Sequence, residues 1–86
     1  MGKYEKLLLK ILRGTPDTNI PFDELKSLLV RLDFDERVQG SHHIFSKTGM
    51  EEIVNVQSKG GQAKPYQVKQ IRNIIVKYQL NLSEDE

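Results

Sequence analysis

The sequence predicts an α+β fold, a two-layer sandwich with elements in the order α-α-β-β-β-α and a three-stranded antiparallel sheet. Three observations predict it. Leucines recur at helical spacing up to Leu32, the apolar period falls to two from Phe34, and a proline-started helical stripe opens at Pro65. Strands joined by short turns pair as a meander, and the apolar helix faces have only that sheet to cover. One face of the sheet is then left to solvent or to a ligand.

Tyr4, Leu7, Leu8, Ile11 and Leu12 form the stripe of a first helix from about Lys3 to Arg13, ended by Gly14 and Pro16. Thr15 to Asn19 reads as a polar loop. Leu25, Leu28, Leu29 and Leu32 mark the second helix, with Pro21 near its start and Asp23 and Glu24 at the positive end of its dipole. Asp33 stands where a helix leaves through a left-handed residue, a conformation Asp tolerates better than most. Phe34 to Gln39 and His42 to Lys47 read as strands joined at Gly40-Ser41. A Lys-Thr-Gly turn within Ser46 to Met50 leads to a β-branched third strand, Ile53 to Val56. Ser58 to Lys64 reads as a Gly-rich loop. Pro65 then opens the last helix, with Val68, Ile71, Ile75 and Tyr78 on one stripe. The expectation is one domain over residues 1–86, in which residues 1–19 are an extra N-terminal helix and loop and Ser83 to Glu86 a frayed acidic tail.

Composition removes several classes of function. The chain has no cysteine, so it offers neither a thiol nucleophile nor a disulfide framework. No apolar run approaches the roughly 18 residues of a membrane span, and the N-terminus lacks a signal-peptide core. A cytoplasmic protein without membrane contact is expected. The net charge of +1 hides an uneven distribution. Residues 37–72 carry six basic side chains against Glu51 and Glu52, whereas the flanking segments are net acidic. A basic middle segment attracts polyanions.

That segment holds the two histidines of the chain, in Gly40-Ser41-His42-His43-Ile44-Phe45. Histidine titrates near neutral pH and is the first candidate for acid–base chemistry here. Adjacent residues of a strand point to opposite faces, so one histidine is expected buried and the other exposed; spacing alone does not say which. The loop Lys59-Gly60-Gly61-Gln62-Ala63-Lys64 delivers backbone N–H groups and two lysines to a helix start, a setting suited to a phosphate. It departs from a P-loop in spacing and in lacking Ser or Thr after Lys64. Two histidines on opposite faces make a poor metal site without a third ligand, so no metal and no cofactor is expected. Asp35 and Glu36 are opposed in the same way, and Ser41 beside His42 lacks a third member for a triad. Tyr66 and Tyr78 read as core or half-buried residues.

The run Gly40 to Phe45, the strand Asn55-Val56-Gln57 and the stretch Ala63-Lys64-Pro65-Tyr66-Gln67-Val68 together resemble the HicA toxins of bacterial type II toxin–antitoxin pairs. The resemblance spans roughly residues 20–80 and implies a fold like that of a double-stranded-RNA-binding domain. It implies an mRNA interferase, an endoribonuclease that cleaves mRNA, neutralised by an acidic HicB-like antitoxin. The family's catalytic histidine, directly after the Gly-Ser pair, maps onto His42; His43 falls at a variable position. Two departures stand out: Asp33 occupies a place where many members have glycine, and Asn55-Val56-Gln57 lacks a further histidine that other members carry.

RNA carries its own nucleophile, the 2′-hydroxyl, so metal-independent cleavage needs a base, charge stabilisation and an aligned backbone. His42 is expected to remove the 2′-proton or to protonate the leaving 5′-oxygen. Lys47, Lys59 and Lys64, with Gly40 and Ser41 beside the histidine, are expected to meet RNA phosphates and to form the surface an acidic antitoxin covers. Two other readings remain: a non-catalytic RNA-binding module of the same fold, and a protein-interaction domain using the open sheet face.

Overall fold

The computed structural model describes residues 2–14 and 17–82 and has the expected α+β order. Helix α1 spans Lys3–Arg13 and α2 spans Phe22–Arg31. Strands β1 (Asp35–Gln39), β2 (His42–Ser46) and β3 (Val54–Val56) form an antiparallel sheet in that order. A short ribbon of β4 (Ser58–Lys59) and β5 (Gln62–Ala63) precedes α3 (Pro65–Tyr78). The expected frayed tail, Ser83 to Glu86, lies outside the described residues, as do Thr15 and Pro16 of the first loop.

Strands β1 and β2 are each one residue shorter than the sequence predicts, for a local reason. Asp33 has φ +71°, and the N–H groups of Asp33 and Phe34 return to the carbonyls of Val30 and Leu29 at 3.0 and 3.1 Å. This is a Schellman exit with Asp at the left-handed position. It holds Phe34 in the helix end and delays β1 to Asp35. At the other end of β2, Met50 N–H bonds the carbonyl of Lys47 at 3.0 Å, so Lys47 opens a turn instead of extending the strand.

The segment expected as a Gly-rich loop is a hairpin. Ser58 pairs with Ala63 and Lys59 with Gln62 across Gly60 and Gly61, whose φ angles are +60° and +79°. Two consecutive positive φ angles make a type I′ turn, which Gly-Gly adopts without a side-chain clash. The hairpin is tied to the start of α2, where Phe22 N–H bonds Gly61 O at 3.0 Å and Ala63 N–H bonds Ile20 O at 2.9 Å.

The helices cover one face of β2 and β3. Phe45, Val54 and Val56 from the sheet are fully buried against Leu25, Leu28 and Leu29 of α2 and Val68 of α3. From α1, Leu7, Leu8 and Ile11 enter the same core, while Leu12, expected on that stripe, is 38% exposed. Burial of large side chains of this kind contributes about 1.5–3 kcal/mol each. Strand β1 lies beyond the helices and is exposed along its length. The other sheet edge, β3, is capped by the buried amide of Gln67. With its oxygen accepting from Gln57 N–H at 3.1 Å and its nitrogen donating to Gln57 O at 3.2 Å, that amide imitates a neighbouring strand. Among the described residues no helix is long and apolar enough to cross a membrane.

Candidate active site on the open sheet face

The hairpin between β1 and β2 turns through two residues, Gly40 and Ser41, with Gln39 paired to His42. Gly40 has φ +59°, which fits the type II′ turn that asks for glycine at its first central position. The turn makes His42 the first residue of β2, and alternation then sorts the two histidines. Phe45 is fully buried, so His43 shares the helix-facing side and His42 shares the open side with Ile44 and Ser46. His43 meets Phe22 edge-on, with ring centroids 5.1 Å apart, and its Nδ1 lies 2.7 Å from Glu36 Oε2. Its side chain is 19% exposed. One histidine is packed and the other stands in water, as strand logic requires.

His42 Nδ1 lies 3.0 Å from Asn55 Oδ1. Asn55 is the middle residue of β3, paired with Ile44, so its side chain reaches diagonally along the open face. With Asn55 Oδ1 as acceptor, Nδ1 carries the proton and Nε2 keeps its lone pair. Two residues further, Gln57 donates from Nε2 to Ser41 Oγ at 3.0 Å, and its Oε1 accepts from Lys64 Nζ at 3.5 Å. The Ser41 turn, the β3 edge and the start of α3 are thereby joined by side chains.

The expected phosphate contacts fall into two groups. Gly40 and Ser41 adjoin His42, and Lys59 and Lys64 line a groove of about 620 Å³ that also takes in Gln57 and Tyr66. Lys47 is not brought to this region. It begins the turn after β2, about 16 Å along the strand from His42 at the usual rise per residue. There its Nζ donates to Leu32 O at 3.1 Å and faces Asp33 Oδ2 at 4.0 Å, closing the C-terminus of α2. The α3 start also offers less backbone than the sequence suggests. Pro65 has no N–H, and those of Gln67 and Val68 are already bonded to Lys64 O at 2.9 and 3.1 Å.

Four residues join the site that sequence reasoning did not nominate. Asn55 and Gln57 carry the contacts just described. Arg37 occupies the open face of β1 opposite Ile44, diagonal to His42, and has no partner among the described residues. Its signal was available in strand alternation, since Gln39 and Arg37 must share the face of His42. Tyr66, expected as core or half-buried, is 65% exposed. Its place at the second position of α3 puts it outside the Val68–Ile71–Ile75 stripe.

Comparison with known proteins adds one finding. The family model described as the HicA toxin of bacterial toxin–antitoxin matches residues 22–78, from the start of α2 to the end of α3. Helix α1 precedes the matched region. No match was found to a curated protein or to a solved structure.

Proposed function

The chain belongs to the HicA toxin family, the toxin side of a toxin–antitoxin pair, and from that premise we propose that it is a ribonuclease cleaving mRNA by histidine acid–base catalysis. The observation that carries the reading is His42 on the open sheet face with Nδ1 held by Asn55 Oδ1 at 3.0 Å. A neutral imidazole fixed in that tautomer presents Nε2 as a base. In the proposed step Nε2 takes the proton of the 2′-hydroxyl, O2′ bonds phosphorus, and the bond from phosphorus to O5′ breaks. The leaving O5′ takes a proton from water. The products are a 2′,3′-cyclic phosphate and a 5′-hydroxyl end, and the nucleophile comes from the RNA itself.

Charge supports the same surface. Lys59, Lys64 and Arg37 flank His42 on the sheet face and along the adjoining groove, where phosphates of a bound strand would lie. Lys47 takes no part in this proposal, because its ammonium closes α2. An acidic HicB-like antitoxin would neutralise the toxin by covering His42 and these cations, in the cytoplasm where mRNA is translated.

The test is cleavage of RNA by the purified chain in the presence of a chelator, with end-group analysis of the products. His42→Ala is expected to lower cleavage by about 10²–10⁴-fold and to relieve growth arrest on induction. Equal cleavage by a folded His42→Ala variant would remove His42 from the mechanism. Retention of RNA by the parent chain without shorter products would leave a binding module instead.

A further inference from the structure

The three tyrosines of this chain are treated differently. Tyr4 and Tyr78 pack against the hydrophobic core, and the hydroxyl of Tyr78 donates to Glu52 Oε1 at 2.6 Å. Tyr66 does neither. It is 65% exposed and its hydroxyl has no partner among the described residues. The ring borders the groove of about 620 Å³ that Gln57, Lys59, Lys64 and Pro65 also line. Lys64 Nζ sits 6.0 Å from the ring centroid and 3.5 Å from Gln57 Oε1. Gln57 in turn holds Ser41, the residue before His42. A continuous polar track therefore runs from the proposed base to an exposed aromatic ring whose one neighbour from the fold is the Lys64 ammonium, among the described residues.

We propose that this groove is a nucleotide subsite, in which Tyr66 stacks one unpaired RNA base flanking the scissile phosphate while Lys59 and Lys64 hold the adjoining phosphates. The inference rests on the ribonuclease reading above and names its substrate as single-stranded RNA. The chemistry follows from the residues. An exposed aromatic ring offers a π-face to any base, and cations beside it meet the backbone, the combination that single-strand binders use. Bases within a duplex are already stacked on one another and hidden from such a ring. Stacking also tolerates every base, so the subsite selects strandedness more than sequence.

The experiment uses the full chain carrying His42→Ala, which keeps RNA intact, and measures binding to a short labelled single strand, to the same strand made duplex, and to strands with one base removed at successive positions. Tyr66→Ala is expected to weaken single-strand binding by about ten- to hundredfold, and Tyr66→Phe to retain it. The loss should vanish on the one strand whose stacked base is already absent. In the chain that retains His42, Tyr66→Ala should lower kcat/KM on single strands to a similar degree. Unchanged binding and cleavage by Tyr66→Ala would overturn the subsite while leaving the ribonuclease standing. Preference of the parent chain for the duplex would overturn the single-stranded assignment. Absence of both binding and cleavage by the parent chain would overturn the subsite and the ribonuclease together.

Discussion

In the proposed mechanism Asn55 decides which nitrogen of His42 serves as the base, through one contact of 3.0 Å. A neutral amide orients the ring but does not stabilise an imidazolium as a carboxylate would. Asn55 is thus a positioning residue whose two effects can be separated. Asn55→Ala is expected to slow cleavage by about 2- to 10-fold, the worth of one net hydrogen bond, with little change in KM. Asn55→Asp should keep the ring in place and move the ascending limb of the pH–rate profile to higher pH, because a carboxylate favours the protonated ring. Identical pH profiles for the parent chain and the Asn55→Asp variant would mean that the contact does not reach the reacting nitrogen. His43 offers the contrast: Glu36 at 2.7 Å and the Phe22 ring tie it to the packed side of the sheet.

At the scale of elements, helix exits and turns carry the detail that positions the site. Asp33, at φ +71°, ends α2 in a conformation that glycine adopts freely. Asp33→Gly is expected to raise unfolding stability by up to about 1 kcal/mol, since the ion pair to Lys47 that it removes is long, at 4.0 Å, and its carboxylate stands in solvent. Urea denaturation measures this, and a clear loss of stability would show that the Lys47 contact outweighs the backbone strain. The leucine stripes, the Gly40-Ser41 turn and the separation of the two histidines are all legible in the sequence, because each follows from a local period. The β4–β5 ribbon is written in Gly60-Gly61 between residues that pair, yet strands of two residues carry no apolar alternation to betray them. Lys47 and Tyr66 depart from expectation for one reason. A lysine that caps a helix and a lysine that waits for phosphate look alike in sequence, and so do a packed and an exposed tyrosine, because the difference lies in contacts to distant residues.

At the scale of the whole molecule, a surface trio with a defined pH range adds to the core contacts between the sheet and α3. Glu52, in the connection before β3, accepts from Tyr78 Oη at 2.6 Å and from Lys77 Nζ at 3.1 Å. The Tyr78 hydrogen bond first, and then that of Lys77, hold the Glu52 carboxyl below its ordinary value. The same contacts with Glu52 raise both Lys77 and Tyr78. A carboxyl lowered by folding contributes stability above its unfolded value, near 4.3, and loses it as pH falls through the folded value. An ammonium and a phenol raised by folding contribute stability below their unfolded values, near 10, and lose it as pH climbs through the folded ones. The trio therefore stabilises the fold across the neutral range and weakens at both ends. Glu52→Gln keeps an acceptor for Tyr78 but removes the charge, so the parent chain should exceed it in stability from about pH 6 to 9 by a constant margin. The two denaturation curves should converge as pH falls below the folded value of Glu52, and the margin should shrink again as pH climbs through the folded values of Lys77 and Tyr78. A margin independent of pH would show that the Glu52→Gln variant loses shape complementarity and not charge, and would break this link between α3 and the sheet that carries the site.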